Sequence, residues 1–307
     1  MKILITGGAG YIGSELTEML ASNPEVKEIV IYDNLSRNNY NVFIAGNLPS
    51  GKIRFEYGDI LDTYKLKQVI VGVDVVFHLA AKVTTPFANE DPHIFEQVNH
   101  WGTAELSYVL EESDVKQVYY LSSTSVYGTS RKVVDMDSQP NPRTHYGISK
   151  MHGEKMIERL SDRMETYVLR CGNVYGYGKS LRFDAVINRF MFDAHFHNRI
   201  QVQGSGLQKR AFIHISKICS TLAGLIQKPL KSGVYNLVDK NYSVNEIVDS
   251  IKGLYPNLET LGLLSDFKLR TISVLKDKRL EELQLYSEKE LNKELEEFSQ
   301  KFSFTSI

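Results

Sequence analysis

The sequence predicts an α/β fold, a doubly wound parallel sheet followed by a smaller mixed C-terminal region. Short apolar runs alternate with helical stretches through the first half of the chain, and these runs lack the apolar–polar alternation of a half-exposed strand. Such strands, separated by helices, are typical of a parallel sheet that helices cover on both faces. A glycine-rich turn also follows the first run, where a strand would lead into a helix.

The elements of this sheet can be assigned in order along the chain. The predicted strands are short and largely apolar, at residues 2–6, 28–32, 53–57, 75–78, 117–121 and 166–170. The predicted helices lie between them, at residues 11–21, 63–71, 92–112 and 146–160. Right-handed crossovers are the default connection in such a sheet.

After residue 170 the composition changes. Residues 171–180 are rich in Gly, Tyr and Asn, and a further glycine loop stands at 204–206. Residues 276–301 are dense in Lys, Glu and Leu, which predicts an amphipathic helix with a solvated charged face. We therefore expect a first domain at 1–172 and a smaller region at 173–307. Part of 211–240 is an open candidate for returning to the first domain.

Composition excludes several classes of protein. The 307 residues contain 36 Lys and Arg against 37 Asp and Glu, so the net charge is −1, which argues against a nucleic-acid-binding protein. The two cysteines, Cys171 and Cys219, are too few for a disulfide framework or a four-cysteine zinc site. No apolar run approaches the roughly 18 residues that cross a bilayer, and the amino terminus turns glycine-rich too early for a signal peptide. We therefore expect no membrane partner and a cytoplasmic location.

The strongest local signal is the glycine-rich turn at residues 6–13. Gly7 permits a tight turn, Gly10 lets the backbone approach a pyrophosphate, and Gly13 lets the helix pack close to the sheet. The helix N-terminus adds free N–H donors and a positive dipole end. Asp33, at the end of the second strand, can accept hydrogen bonds from adenosine ribose hydroxyls and would repel a 2′-phosphate. The sequence thus predicts a Rossmann-like domain that prefers NAD over NADP, a preference that nearby Arg37 could weaken.

Two interpretations of Asp59 stay open. The residue follows the third predicted strand, where it could meet the adenine end of a dinucleotide. It also begins the run 59–62 just before a predicted helix, where an aspartate commonly caps the helix N-terminus.

A tyrosine and a lysine supply candidate acid–base chemistry. Tyr146 and Lys150 stand at i and i+4, which places both side chains on one helix face. A phenol has a pKa near 10, and a nearby ammonium together with the positive nicotinamide of NAD⁺ favours the phenolate. Lowering that pKa to about 7 takes roughly 4 kcal/mol. Hydroxyls at 122–125 follow the fifth strand, at the sheet edge where ligands bind, and can hold a substrate oxygen.

These segments together resemble the extended short-chain dehydrogenase/reductase superfamily, and within it the NAD-dependent epimerase/dehydratase family that acts on nucleotide sugars. The resemblance rests on residues 6–13, 32–35, 58–60, 78–81, 99, 102–103, 122–128, 146–150, 170–176 and 210–214. It implies that Tyr146 is the acid/base, that Lys150 holds the nicotinamide ribose and that Ser123 bonds the reacting sugar oxygen. The residues it places along NAD are Gly7, Gly10, Tyr11, Ile12, Gly13, Asp33, Asn34, Asp59, Ile60, Leu79, Ala80, Ala81, Asn99, Tyr146 and Lys150.

The same resemblance implies a nucleotide-diphosphate sugar as the substrate, bound by the region 173–307. The substrate-binding residues it implies are Ser123, Thr124, Asn173, Asn188 and Arg210. Asn173 would meet the sugar diphosphate, and the guanidinium fork of Arg210 would pair with a phosphate. The late arginine motif of the family is not recognisable, and Arg270 is only a weak stand-in for it.

The residues after Ser123 separate the possible reactions. Family members that eliminate water carry Asp-Glu there, whereas Thr124 and Ser125 are not competent acids or bases near pH 7. This argues against a 4,6-dehydratase, and Ser125 weakens a decarboxylase. We expect an epimerase that oxidises the sugar at C4 by hydride transfer to NAD and then reduces it again. The alternatives are an NAD(P)-dependent 4-dehydrogenase or ketoreductase and a non-catalytic NAD-sensing protein.

Histidine spacing and family analogy give two last expectations. The eight histidines include no pair with HExxH-like spacing, so we expect no metal site. His78 is expected to pack beside the cofactor, while His195 and His197 would face different sides of a predicted helix. In this superfamily the helices that correspond to 92–112 and 146–160 often pair across a two-fold axis, which implies a homodimer.

Overall fold

The computed structural model describes residues 1–44, 51–83, 91–263 and 270–304. Its strands are β1 (Lys2–Thr6), β2 (Glu28–Asp33), β3 (Ile53–Tyr57), β4 (Val75–His78), β5 (Gln117–Ser123), β6 (Glu165–Cys171), β7 (Asn173–Tyr175), β8 (Arg199–Gln203), β9 (Lys209–His214), β10 (Gly233–Leu237), β11 (Lys240–Ser243) and β12 (Glu259–Leu263). Its helices are α1 (Tyr11–Ala21), α2 (Thr63–Val69), α3 (Pro92–Phe95), α4 (Gly102–Glu111), α5 (His145–Glu158), α6 (Val186–His197), α7 (Ile215–Gln227), α8 (Val244–Leu254), α9 (Lys278–Glu281) and α10 (Leu291–Ser299).

The predicted doubly wound α/β fold is confirmed. Seven strands form one sheet in the order β3-β2-β1-β4-β5-β6-β10, and each neighbouring pair is parallel. The order reverses between β1 and β4, so the carboxyl ends of these two strands open a crevice of the kind that binds ligands in doubly wound sheets. The predicted strands and helices of the sheet agree with the observed bounds to within one or two residues, apart from the interrupted helix described below.

Both faces of the sheet are covered by helices. Along β1, Ile3 and Ile5 pack into the core beneath α1 and α7, while Leu4 packs into the opposite core beneath α2, α4 and α5. A strand buried on both faces has no polar positions to alternate, which explains the continuous apolar pattern of the sequence. The late strand β10 joins the edge of the sheet beside β6, so part of the chain after residue 211 returns to it.

The rest of the second half forms a smaller mixed unit. Strands β7, β9 and β11 make a three-stranded sheet, β8 and β12 make a parallel pair, and α6, α8 and α10 pack over a separate apolar core. No helix in the described ranges has both the length and the apolar character to cross a bilayer.

Two predicted helices differ in the structure. The helix expected at 92–112 contains a π-helical segment, Glu96–Trp101, between α3 and α4. The single amphipathic helix expected at 276–301 is wrong, because the chain forms α9 and α10 with a loop between them. Gln284 in that loop has a left-handed backbone with φ 49°, which a continuous helix cannot contain.

Candidate active site

The glycine-rich turn after β1 forms a cradle, a space that side chains at the glycine positions would occupy. Gly7 has φ +71°, and a Cβ there would lie 2.6 Å from the amide nitrogen of Ala80. A Cβ on Gly13 would lie 2.5 Å from the carbonyl oxygen of Gly7. Helix α1 begins after Gly10 with no side-chain cap and no acidic residue in its first turn. This helix end therefore fits a pyrophosphate group, as the glycine spacing predicts.

Asp33 lies at the carboxyl end of β2 and braces this cradle. Its carboxylate accepts hydrogen bonds from the backbone N–H groups of Leu35, at 2.8 Å, and Ala9, at 3.1 Å. Burial raises the pKa of Asp33, and the two N–H donors oppose that shift. Arg37, which the sequence left as a possible counter-charge, pairs instead with Asp184 at 3.2 Å. The geometry thus leaves Asp33 as the acidic group beside the cradle.

The two interpretations of Asp59 can now be separated. The N-cap of α2 is Asp62, whose side chain accepts from the backbone N–H of Lys65, so Asp59 is not the cap. The Asp59 carboxylate accepts from the Asn34 amide at 2.7 Å and from the Leu61 N–H at 3.0 Å. Asp59 and Asn34 therefore form one polar pair between β2 and β3, and their contact with adenine stays a prediction.

The remaining residues predicted along NAD line the same edge of the sheet. Leu79, Ala80 and Ala81 follow β4 and are half-buried, and Ile60 packs against Gly102. Asn99 is fully buried, and its amide bonds both the N–H and the carbonyl of Lys82 and the hydroxyl of Ser149. Since its amide is taken up by protein groups, Asn99 fixes the segment after β4 against α5.

Tyr11 and its neighbours tie the cradle to the second half of the chain. The Tyr11 hydroxyl donates to the carbonyl oxygen of Gly176, and the Ser180 hydroxyl donates to the carbonyl oxygen of Ala9 at 2.9 Å. The Lys179 N–H donates to Glu15 on α1 at 2.7 Å. The segment after β7 therefore lies directly across the start of α1, beside Ile12, which packs at the edge of the same core.

Ser123 and Tyr146 meet at the carboxyl edge of β5, and Lys150 follows Tyr146 by one turn on α5. Thr144 caps α5 by accepting from the Gly147 N–H at 3.0 Å, which starts the helix just before Tyr146. A Cβ on Gly147 would lie 2.6 Å from the Ser125 carbonyl oxygen, so this helix end packs tightly on the turn after β5. The Ser123 hydroxyl hydrogen-bonds the Tyr146 phenol. The structure thus brings the predicted hydroxyl and phenol together.

The electrostatics of Tyr146 in the protein alone are dominated by burial, which raises the pKa of its phenol. The lowered pKa predicted from the sequence requires the nicotinamide of NAD⁺ as well as the ammonium of Lys150, and it stays a prediction. The groups that oppose this shift are Ser123, through its hydrogen bond, and Arg182, through its positive charge. Lys150 is itself buried, with its ammonium 4.2 Å from the centre of the Tyr120 ring. Burial lowers the pKa of Lys150 to about 7, although the Glu154 carboxylate opposes this.

Replacing Lys150 with methionine will increase the free energy of unfolding, most strongly below about pH 7. An unfolded lysine titrates near about 10.4, whereas the folded group does so at about 7. Between these two pH values the unfolded chain binds more protons than the folded chain. The free energy of unfolding of wild type therefore rises with pH in this range, and it decreases as the pH falls to 7. Urea unfolding at pH 6, 8 and 9.5 measures the difference in the free energy of unfolding between Lys150→Met and wild type.

The control for this experiment is Lys155→Met, an exposed lysine on the same helix. Its stability relative to wild type is expected to show little dependence on pH. If the difference in the free energy of unfolding between Lys150→Met and wild type stays constant from pH 6 to 9.5, the depressed pKa of this lysine is contradicted.

A buried ion pair that the sequence did not predict connects α5 to the sheet. Arg170 at the end of β6 bonds Glu154 through its Nε at 3.0 Å and its Nη2 at 2.8 Å, and Ser122 donates to the same carboxylate at 2.5 Å. Arg170 also donates to the Tyr127 hydroxyl, which in turn donates to Asn236. The one sign of this pair in the sequence is Glu154, which follows Lys150 by four residues and therefore lies on the same helix face. This network fixes α5 to β5 and β6, and so fixes Lys150.

His78 lies next to this site and is fully buried. Its Nδ1 is 2.7 Å from the Thr6 hydroxyl and its Nε2 is 2.9 Å from the Thr103 hydroxyl. Burial, together with the charge of Lys150, lowers the pKa of His78 to about 3. The imidazole is therefore a neutral packing group whose two nitrogens join β1 to α4.

The predicted substrate residues fall into two groups. Asn173 is exposed at the start of β7, with its amide donating to the Ala211 carbonyl at 3.0 Å, and Thr124 is buried directly after Ser123. Asn188 is fully buried, and its amide bonds the Gly176 N–H, the Tyr11 hydroxyl and the Arg182 carbonyl. These contacts tie α6 to the cradle, and the part of Asn188 in substrate binding stays a prediction.

Arg210 on β9 is half-buried close to Arg270, the residue that the sequence left as a weak stand-in. Burial and the positive charge of Arg270 both lower the pKa of Arg210. Burial also lowers the pKa of Arg270. Two guanidinium groups that act on each other in a partly desolvated position have the charge and geometry that suit a multivalent anion such as a diphosphate. Only the fold joins these residues, which are far apart in the sequence.

Comparisons with known proteins give a consistent picture. The model of the NAD dependent epimerase/dehydratase family matches residues 3–237. A Methanocaldococcus jannaschii protein with the provisional name UDP-glucose 4-epimerase is 31% identical over 265 residues, 81% of each chain. The dTDP-D-glucose 4,6-dehydratase of Mus musculus is 28% identical over 244 residues, 77% of this chain and 67% of the relative. The solved structure of MoeE5 in complex with UDP-glucose and NAD is 26% identical, with a TM-score of 0.82 over 98% of both chains.

Proposed function

The chain belongs to the NAD dependent epimerase/dehydratase family, and from this we propose that it is a nucleotide-sugar 4-epimerase acting on a UDP-hexose. The observation that carries the proposal is the Ser123–Tyr146 hydrogen bond beside buried Lys150, followed by Thr124 and Ser125 in the chain. This arrangement has a group that can move a proton at a sugar hydroxyl, and the two positions directly after Ser123 carry no carboxylic acid that would expel a hydroxyl as water. A UDP nucleotide is favoured by the relative named for UDP-glucose and by the UDP-glucose complex of MoeE5.

In the proposed reaction, NAD held at the glycine cradle, Asp33 and Lys150 would supply the hydride acceptor and donor for the sugar C4. The phenol of Tyr146, as phenolate, takes the proton of the C4 hydroxyl and gives it back to the 4-keto oxygen. Ser123 donates a hydrogen bond to that same oxygen, and Lys150 holds the nicotinamide ribose. The raised pKa of Tyr146 means that this chain alone does not supply the phenolate, so the charge of oxidised NAD is needed to form it.

Epimerisation further requires the hexose to turn over while the nucleotide stays bound. We infer that Arg210 and Arg270 hold the diphosphate, and that they do so away from the reacting carbon. A firm grip on the diphosphate combined with few charged contacts on the hexose would allow the keto sugar to present either face.

Replacing Arg210 with alanine is expected to raise KM for the UDP-hexose by about 10- to 100-fold, with kcat changed much less. Hydrogen bonds to a charged group contribute about 1.5–3 kcal/mol, and every 1.4 kcal/mol is about tenfold. Loss of a contact made equally in the ground and transition states appears in KM. Initial rates over a range of substrate concentrations measure both constants for Arg210→Ala and Arg270→Ala.

The matched control is Arg199→Ala, because Arg199 is an exposed arginine on β8 that pairs with Glu259. Its KM is expected to equal that of wild type. A fall in kcat for Arg210→Ala with an unchanged KM would contradict the assignment to the diphosphate.

A dehydratase is the second candidate, since a 4,6-dehydratase is also among the relatives. Removal of water from C6 needs an acid and a base beside the sugar, and the residues directly after Ser123 are Thr124 and Ser125. Neither hydroxyl changes protonation near neutral pH. This observation favours the epimerase.

The experiment that tests the function is incubation of the purified protein with UDP-glucose and catalytic NAD. Proton NMR of the anomeric region is expected to show the C4 epimer, with no accumulation of NADH. A 4-keto-6-deoxy product would instead identify a dehydratase, and a keto sugar with one NADH per turnover would identify a dehydrogenase. Either product would overturn the epimerase proposal.

We also propose that the protein is a homodimer built on α4 and α5. Trp101 and Tyr108 are exposed on the helical stretch 96–111, where large aromatic side chains form an apolar patch typical of an interface. Light scattering at micromolar concentration is expected to give twice the mass of the chain, and Tyr108→Glu is expected to give monomers. A monomeric wild-type protein would contradict this proposal.

A further inference from the structure

Three side chains with metal-binding groups lie together away from the crevice. Glu96 and His100 belong to the π-helical segment before α4, and His152 lies on α5. One carboxylate oxygen of Glu96 is 2.9 Å from Nδ1 of His100 and 3.3 Å from Nδ1 of His152. Their ligand atoms all lie within 4.8 Å of one another. We propose that Glu96, His100 and His152 bind a divalent transition-metal ion of the zinc class.

The geometry of the cluster fits such an ion closely. Zinc binds imidazole nitrogen and carboxylate oxygen at about 2.0–2.2 Å, so tetrahedral ligand atoms lie roughly 3.3 Å apart. The two distances from the Glu96 oxygen are already near this separation. The third separation, between ligand atoms of the two imidazoles, is at most 4.8 Å, so binding an ion requires the imidazoles to move no more than about 1.5 Å closer. Two imidazoles and one carboxylate also suit zinc, cobalt or nickel better than magnesium, which prefers an all-oxygen shell.

The cluster is also accessible to an ion. The side chains of His100, His152 and Glu96 are 20%, 34% and 33% exposed. This leaves an entry path and room for water as a fourth ligand, as in zinc sites that have three protein ligands. His100 additionally stacks on the neighbouring Trp101 ring, with centroids 5.1 Å apart, which restricts its rotation.

The sequence could not reveal this site. Glu96 and His100 are four residues apart, but the third ligand lies 56 positions after Glu96 on another helix. The expectation of no metal site, which rested on spacing, therefore did not test for a cluster that the packing of two helices creates. The π-helical turn is itself informative, because such turns often occur at functional positions.

A bound ion would join the π-helical segment to α5. The same segment already contacts α5 through Asn99, which bonds Ser149, and α5 carries Tyr146 and Lys150. Metal binding at Glu96, His100 and His152 would thus add a second tie between these two helices.

The test is a calorimetric titration of the full chain, free of any histidine tag and stripped with EDTA, with Zn²⁺. One Zn²⁺ is expected per chain, and His152→Asn and Glu96→Gln are each expected to raise Kd by at least about tenfold. The matched control is His197→Asn, since His197 pairs with Asp193 at 3.1 Å on α6 and belongs to no three-ligand cluster in the described ranges. Its Kd is expected to equal that of wild type. Equal Kd values for wild type, His152→Asn and Glu96→Gln would overturn the assignment, as would the absence of Zn²⁺ binding.

A second measurement guards against a misfolded variant. Co²⁺ added to the wild-type chain is expected to produce the visible absorption of a tetrahedral nitrogen–oxygen site, which Zn²⁺ then displaces. Light scattering with and without the ion is expected to give the same mass, since one chain supplies all three ligands. A doubling of mass on addition of Zn²⁺ would overturn binding within one chain, as would a Co²⁺ spectrum typical of the hydrated ion.

Discussion

Replacing Tyr146 with phenylalanine will lower kcat for the UDP-hexose by about 10²- to 10⁴-fold, the usual contribution of a positioned acid–base group. The change removes only the phenolic oxygen, which is the atom that the Ser123 hydroxyl contacts. The ring remains and keeps its edge-on contact with Phe95, at a centroid distance of 6.1 Å. Folding and cofactor binding are therefore expected to persist, since the glycine cradle and Asp33 lie elsewhere.

The measurement combines turnover, by NMR, with the amount of dinucleotide released when the protein is denatured. Tyr64→Phe is the matched control, because this hydroxyl is highly exposed on α2 and far along the chain from the site. Its kcat is expected to match wild type. Full activity of Tyr146→Phe would reject the acid–base assignment, and loss of bound dinucleotide would show that the variant fails for another reason.

Replacing Lys217 with methionine will lower the free energy of unfolding by about 3–5 kcal/mol, the cost of breaking a buried ion pair by removing one partner. Lys217 is 2% exposed, and its ammonium lies 2.5 Å from Asp239 and 2.9 Å from Glu294. Without it, the two buried carboxylates keep the ammonium of Lys276, which lies 2.8 Å from Asp239, and the hydroxyl of Tyr175, which donates to Glu294, but lose the cation that they share. Because α7, β10 and α10 meet at this cluster, the loss is expected to affect the whole fold.

The pH dependence of this variant has a definite sign. Burial alone would raise the pKa of Asp239, but its bonds with Lys217 and Lys276 outweigh burial and hold that pKa below its usual value. A carboxyl with a depressed pKa stabilises the folded chain above its unfolded pKa of about 3.9, and that contribution is lost as pH falls through the folded pKa. The difference between wild type and Lys217→Met is therefore expected to be full at pH 7 and to shrink below about pH 4.

Chemical denaturation at pH 7 and pH 3 measures this difference. The matched control is Lys67→Met, since Lys67 forms an exposed pair with Glu112 at 2.7 Å. Solvent screens exposed pairs, so this control is expected to be nearly as stable as wild type. Equal losses in the two variants would contradict the importance of burial at Lys217.

Much of the fold could be predicted from local patterns. The strands β1, β2 and β4 are short apolar runs whose buried faces leave a clear signal, and the glycines before α1 mark its start. The π-helical turn at Glu96–Trp101 could not be predicted, because one extra residue in a turn barely alters an apolar pattern. The break near Gln284 could not be predicted either, because a stretch of Lys, Glu and Leu has the same composition whether it forms one helix or two.

The candidate site could be predicted where one motif contains its residues. It could be predicted less well where the packing of distant segments determines which residues meet. Ser123, Tyr146 and Lys150 stand in two short motifs, and the structure brings their elements together. The pKa of Tyr146 depends on burial and on Arg182, which no motif contains. The pairing of Arg210 with Arg270 likewise depends on the fold. The division of the chain at residue 172 stays a prediction.

The hydrogen bonds across the start of α1 limit how this protein can be redesigned. The carbonyls of Ala9 and Gly176 accept from side chains on opposite sides of the contact, so neither loop keeps its shape without the other. A chimaera that imports a foreign nucleotide-binding half would leave Ser180 and Lys179 with mismatched neighbours. Exchange of cofactor preference by grafting must therefore carry residues 176–188 along with the first βα unit, even though they are distant in the gene.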